Sequence, residues 1–352
     1  MELHSGLAYV GTRTTRARNA RGDGLNVYRI GPDAYWSHVQ LLEMENPSFL
    51  AFDRSGQFLY SVHGDSDGVS SFAIDDTGIL TFLNRSSTQG RNPVHLSFDP
   101  TNRFLVVANH VTSSLALLPR NPDGSIGEVC HLLQIEGEVG PHRIEQPFPK
   151  PHQVEFDRSG RWIVVPDKGI DQILVYEIDA AARKLRFVSA CKAREGAGPR
   201  HVAFHPGGRL AYAINELDST VAAHHFDVTS GRMTPFQIVS ALPETFTGNS
   251  RGAEIAVSPD GRFVYASNRG SDTIVAFEIA ETGTLTLVGH HETAGRTPRF
   301  FTILKNGILL AANEDSDTIV AFDTDADTGM LLPKGSELAV GSPVCILVKN
   351  LD

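Results

Sequence analysis

The chain has 352 residues, 41% of them hydrophobic and 20% charged, with a mean hydropathy of -0.13. That balance suits a folded chain with a sizeable core and excludes collagen-like and disordered classes, and no apolar run approaches the roughly 20 residues of a membrane-spanning helix. The formal net charge of -10, without any block of five like charges, argues against a nucleic-acid partner and favours a small molecule. Cys130, Cys191 and Cys345 are widely spaced and form no CxxC, which predicts buried thiols rather than a disulfide framework or a zinc knuckle. Residues 1–10 lack the basic flank and apolar stretch of a secretory leader, so the cytoplasm is the expected compartment.

From the N-terminus, strands are predicted over 7–11, 24–30 and 39–44, with a loop carrying Arg13, Arg16, Arg18 and Arg21 that reads as solvated, with attraction of an anionic substrate as the alternative. A repeat then begins. Segments opening at Pro47, Pro93, Pro151, Pro199, Gly252 and Pro298 align on one template. Nine positions after each anchor stands a turn residue, Gly56, Asn102, Gly160, Gly208, Gly261 or Gly307, and a seventh anchor follows at Pro343. Each unit reads as strand, tight turn, strand, because V-H-L-S-F at 94–98 alternates with a period of two and D-x-x-G is turn chemistry. Two more strands follow the hairpin, as at 172–178 and 185–189 or at 273–279 and 285–290.

Four antiparallel strands in about 49 residues make one propeller blade. Seven anchors therefore predict an all-β, seven-bladed β-propeller spanning residues 1–352 as a single domain, and the missing Gly-His and Trp-Asp signature disfavours a WD40 scaffold. The last repeat stops soon after its first strand. The N-terminal strands are expected to complete that blade, with 344–348 beside 7–11, closing the ring and leaving no unpaired edge. The longest insertion, 136–150, carries Pro141, Pro147 and Pro149 and has the length of a lid or binding loop.

Comparing the copies separates scaffold from candidate site. Phe52, Phe98, Phe156 and Phe204 recur before the turn and belong to the core. Seven residues past the turn stand His63, Asn109, Asp167, Asn215 and Asn268, expected to tie down strand ends through hydrogen bonds to the backbone, with a calcium column as the alternative. Two positions vary instead. The first residue after the anchor is Ser48, Val94, His152, Arg200, Ala253, Arg299 or Val344; the eighth after the turn is Gly64, His110, Lys168, Glu216, Arg269 or, with one deletion, Glu314. Equivalent positions lie on rings about a propeller's axis, so His152, Lys168, Arg200, Glu216, Arg269 and Arg299 should surround one mouth. Buried charges need partners, and ion pairs Arg200–Glu216 and Arg269–Glu314 joining blades are the purely structural alternative.

K-P-H-Q-V at 150–154, G-A-G-P-R-H-V-A-F-H-P at 196–206, I-N-E-L-D-S-T-V at 214–221 and S-P-D-G-R-F-V-Y-A-S-N-R-G at 258–270 resemble the seven-bladed propeller lactonases. That family holds propeller-type 6-phosphogluconolactonases and fungal carboxy-cis,cis-muconate lactonizing enzymes. The likeness runs from Tyr9-Val10-Gly11-Thr12 to Ser342-Pro343-Val344-Cys345. It implies a metal-free active site built from His152, Arg200, Glu216 and Arg269, four residues that the repeat comparison isolates independently.

The expected function is hydrolysis of a small anionic sugar lactone, 6-phosphogluconolactone first, with a carboxymuconate cycloisomerase and a non-enzymatic interaction platform as alternatives. His152 is expected as general base and later acid, Glu216 as an orienting group, and Arg200 with Arg269 as oxyanion stabilisers or an anion clamp. Lys168, Arg299, His201 and Glu314 are expected to bind substrate. No cofactor or metal is expected: there is no phosphate-cradling glycine loop and no HExxH, and the neighbours in His224-His225 and His290-His291 face opposite sides of their strands. Without a G-x-S-x-G elbow or a cysteine near these motifs, a covalent nucleophile is not expected either. No membrane partner is expected, and the oligomeric state stays open.

Overall fold

The computed structural model describes residues 6–31 and 36–350. Blades one to six take residues 47–87, 93–134, 155–192, 199–240, 251–292 and 298–339, each a four-stranded antiparallel sheet. The seventh sheet joins strand Pro343–Asn350 to Gly6–Thr12, Gly24–Ile30 and Trp36–Glu43 in that order. Tyr9 stands opposite Leu347 and Gly11 opposite Cys345, so the ring closes as the truncated last repeat predicts. No helix among the described residues is long and apolar enough to cross a membrane.

The local chemistry of the repeat explains the blades. In blades one to three the turn acid holds the backbone: Asp53 Oδ1 accepts from the N–H groups of Gln57 and Phe58, Asp99 Oδ1 from those of Arg103 and Phe104, and Asp157 Oδ1 from that of Trp162. The second strands, such as Phe104–Asn109 and Ile308–Asn313, are buried along their whole length because both faces meet a neighbouring blade. A continuous apolar run is what such burial requires. Each of the seven blade interfaces holds its own apolar cluster. Leu7 and Tyr9 of blade seven meet Leu50 and Leu59 of blade one, and Tyr60 and Val62 meet Leu105 and Val107 of blade two. Buried tyrosines stitch neighbours further, Tyr9 donating to the Gly78 carbonyl at 3.0 Å, Tyr60 to Gly124 at 2.7 Å and Tyr212 to Gly283 at 3.0 Å.

The small polar column ties strand ends and loops together. Asn215 Nδ2 donates to Thr220 Oγ1 at 2.9 Å, Asn268 Nδ2 to the Ala241 carbonyl at 2.8 Å, and Asp167 Oδ1 accepts from the Lys150 and Gly169 amides. Asn313 extends the column to blade six. Among the described residues no three His, Cys, Asp or Glu side chains are grouped to hold a metal ion. Cys191 and Cys345 are buried and Cys130 is half-buried, all three as free thiols.

One irregularity of the inner strands positions the site. The pairing register shifts between Pro47 and Phe49, Pro93 and His95, Pro199 and His201, Gly252 and Ile255, and Pro298 and Phe300. A bulge inserts an extra residue and breaks the strict alternation of faces. In blades one, four and six the first and second residues after the anchor accordingly both line the central cavity, as Ser48 with Phe49, Arg200 with His201 and Arg299 with Phe300.

Deleting residues 343–350 should strip the innermost strand of blade seven and expose the edge of strand Gly6–Thr12. The melting midpoint is expected to fall by about 10 °C or more, read by thermal unfolding; a midpoint within a degree or two of the full chain would show that closure contributes little.

Candidate active site

His152, Arg200, His201 and Arg299 line one small cavity, together with Arg13, Ser48 and Glu254. Lys168, Glu216, Arg269 and Glu314 are not among its lining residues; they form a charged rim beside it. Glu216 is the centre of that rim. Its Oε1 lies 3.0 Å from Lys168 Nζ and 3.5 Å from Arg251 Nη1, and its Oε2 lies 3.3 Å from Arg200 Nε and 3.4 Å from Arg269 Nη2. Burial alone would push the Glu216 carboxyl up, but Arg269, Lys168 and Arg200 hold it well below its ordinary value. It is a fixed carboxylate with no proton to give.

The insertion at 136–150 reaches the same rim, where Glu145 pairs with Lys168 at 3.1 Å and with Arg251 at 2.7 Å. The pairing differs from the sequence expectation in one respect. Arg200 does pair with Glu216, but Arg269 pairs with Glu216 too and not with Glu314, which faces Arg299 at 3.6 Å.

Inside the cavity three side chains form a line. His152, 6% exposed, sets Nδ1 3.2 Å from His201 Nε2, and His201 Nδ1 lies 2.8 Å from Glu254 Oε1. Burial, reinforced by Arg200, holds both imidazoles well below their usual value, so both rings are neutral at neutral pH. Burial drives Glu254 the other way, up to about 7, against the pull of Arg200. His110 meets His152 edge-on at 5.2 Å and is itself pushed down to about 3 by burial, with Lys168 adding.

The arginine loop requires a correction. Arg18 and Arg21 are indeed near solvent, paired with Asp65 and Asp317, but Arg13 is only 3% exposed and points into the cavity. Burial and repulsion from Arg299 lower Arg13 to about 9, and burial with Arg269 and Arg299 does the same to Arg200. Both keep their charge at neutrality. Six basic side chains (Arg13, Lys168, Arg200, Arg251, Arg269, Arg299) thus share four close carboxylates, Asp65, Glu145, Glu216 and Glu314. In a chain of net charge -10 this is a local positive field, the kind that draws an anion to a cleft.

Residues 7–348 match the family of lactonases with a seven-bladed β-propeller. The chain belongs to that family. It is 34% identical over 349 residues to the 6-phosphogluconolactonase of Bacillus subtilis (strain 168), covering 97% of each chain. Among solved structures it resembles a putative 6-phosphogluconolactonase from Bacteroides fragilis, with a TM-score of 0.88, 32% identity and 98% coverage of each chain. The periplasmic gluconolactonase of Pseudomonas aeruginosa superposes with a TM-score of 0.90 at 28% identity, over 99% of this chain and 100% of that one.

The sequence groups Arg13 only with the other loop arginines and does not single out Glu254, which had a signal. The second residue after the anchor reads Phe49, His95, Gln153, His201, Glu254, Phe300 and Cys345, a column as variable as its neighbour, with four consecutive polar members. Strict alternation would turn it away from the channel, and only the bulge brings it in.

Replacing Glu216 with glutamine leaves Lys168, Arg200 and Arg269 without their shared charge. Stability is expected to fall by about 3 to 5 kcal/mol, the usual cost of stranding buried ions, measured by urea unfolding; an unchanged midpoint would mean that the rim is screened by water.

Proposed function

We propose that the protein hydrolyses a sugar lactone, 6-phosphogluconolactone first, at the His152 cavity. The observation that carries this is a neutral imidazole whose Nδ1 edge is engaged by His201, so that Nε2 is its uncommitted nitrogen, in a space lined by guanidinium groups. Relatives named for the same reaction support the substrate class.

In the reaction, His152 Nε2 takes a proton from water as the water oxygen attacks the lactone carbonyl carbon. The carbonyl π electrons move onto oxygen, and the Arg200 guanidinium stabilises the resulting oxyanion. Collapse of the tetrahedral intermediate breaks the bond from that carbon to the ring oxygen, which leaves with the proton from His152 Nε2. The product is the open hydroxy acid. Glu216, already ionised, positions Arg200 and Arg269 rather than transferring a proton.

The role of His201 and Glu254 is to set the tautomer of His152. With Glu254 ionised, His201 Nδ1–H donates to it, and His201 Nε2 accepts from His152 Nδ1–H; the His152 Nε2 lone pair then faces the cavity. With Glu254 protonated the whole line reverses, Nε2 carries the hydrogen, and the ring cannot act as a base. Since Glu254 is pushed up to about 7, kcat/KM should rise with pH through a limb near 7. Glu254→Gln abolishes the titration, and the limb should vanish from its pH profile; a limb that persists would assign it elsewhere.

His152→Ala should lower kcat by roughly 100-fold, the scale of general acid–base catalysis, with the fold retained by circular dichroism. The decisive assay is a panel of sugar lactones and muconates offered to the purified wild type. Turnover of a muconate without lactone hydrolysis would identify a cycloisomerase, and turnover of neither would favour an interaction platform.

A further inference from the structure

The position that holds Glu216 in blade four is Gly64 in blade one, and in blade seven, where Thr12 pairs with Pro343 as His63 pairs with Pro47, it is Arg13. A Cβ on Gly64 would collide with Arg13 Nη1 and approach Ser48 Oγ to 2.7 Å, so the guanidinium of Arg13 lies over the space where a blade-one side chain would begin. Both of those atoms are buried and have no hydrogen-bond partner among the described residues. The nearest carboxylate oxygen, Asp65 Oδ2, is 3.8 Å from Nη1, and Asp65 is already gripped through both oxygens by Arg18 and touched by Asn46 Nδ2 at 3.3 Å. Arg299, on the adjacent blade six and lining the same cavity, has its carboxylate Glu314 at 3.6 Å, beyond hydrogen-bond reach.

An unsatisfied buried guanidinium and hydroxyl are costly, and here they are also held in place. The Arg13 N–H donates to the Ser342 carbonyl at 3.0 Å, the Arg13 carbonyl accepts from Gly22 at 3.1 Å, and the next amide, Thr14, donates to Asn46 Oδ1 at 2.8 Å. Donors fixed before binding and left unpaired form a preorganised anion site. Two guanidiniums and a hydroxyl converging on one space match a tetrahedral oxyanion with three free oxygens better than a carboxylate with two.

We infer that Arg13, Ser48 and Arg299 form the subsite that takes the substrate's phosphate monoester, setting preference for a phosphorylated over an unphosphorylated lactone. This rests on the lactone-hydrolase reading for its substrate, but the anion site itself does not.

Two measurements test it on the full chain. In steady-state kinetics with 6-phosphoglucono- and glucono-δ-lactone, Arg13→Met should lower the ratio of kcat/KM for the phosphorylated to the unphosphorylated substrate at least about tenfold, mainly through KM, and Ser48→Ala should lower it less. An equal loss on both lactones, or no loss on either, overturns the subsite. Calorimetric titration with inorganic phosphate should show binding to the wild type that is lost in Arg13→Met. If the wild type turns over neither lactone yet binds phosphate through Arg13, the subsite stands and the lactonase reading falls; if phosphate does not bind, or binds both proteins equally, the subsite falls. Ser48→Ala removes only a hydroxyl, so its phosphate affinity decides the matter should Arg13→Met fail to fold.

Discussion

The whole site depends on the bulge that follows the anchor of the inner strands. A propeller gives each blade only a few residues at the axis, and a regular strand would offer every second one. The shifted register lets consecutive residues of one strand face the cavity, so neighbouring blades can supply His152, Arg200 with His201, and Glu254 as a contiguous set. Without it, His201 and the base that it touches could not both be in the channel. Ring closure by the two chain ends keeps this spacing, because seven blade interfaces fix how far apart the inner strands stand.

Charge then sorts the site into two layers. At the rim, Glu216 gathers Lys168, Arg200, Arg251 and Arg269 around a single carboxylate, and Glu145 brings the 136–150 insertion against the same cluster. In the cavity itself, cations outnumber anions, and the one carboxyl in the line with His152, Glu254, is held up by burial. Buried ion pairs seldom add much stability. Their value here is orientation: Arg200 belongs to both layers, bonded to the Ala253 carbonyl and paired with Glu216 while facing the cavity.

The fold was largely legible because the repeat is written in turn chemistry and anchors, local features that survive without an alignment. Ring closure was legible for the same reason, since a half-repeat at one end and spare strands at the other have a single economical pairing. The column of His152, Arg200 and Arg299 was legible as a departure from the template. Glu254 was hidden because alternation assigns its position to the opposite face, and the bulge leaves no mark in residue types. Arg13 was hidden because its blade is assembled from both chain ends: only once Thr12 is paired with Pro343 does Arg13 fall at the position that Glu216 holds in blade four. The exchange of partners between Glu216 and Glu314 was hidden as well, since ion pairing around a ring is decided by side-chain reach rather than by column.

Base strength and anion binding are coupled in such a site. The imidazole of His152 is held well below its usual value by burial, then by Arg200, with His201, His110 and Arg299 contributing, and a base so depressed is a weak one at neutral pH. Three of those contributors, Arg200, His201 and Arg299, line the same cavity. An anion seated against Arg299 and Arg13 offsets part of that positive field, and the proton affinity of His152 rises as a result. Under the proposed mechanism a charged substrate would therefore strengthen the base that acts on it. An uncharged lactone gains the same positioning without that electrostatic relief. Discrimination between the two is then expected in the chemical step as well as in binding, because the substrate's charge would alter the proposed base.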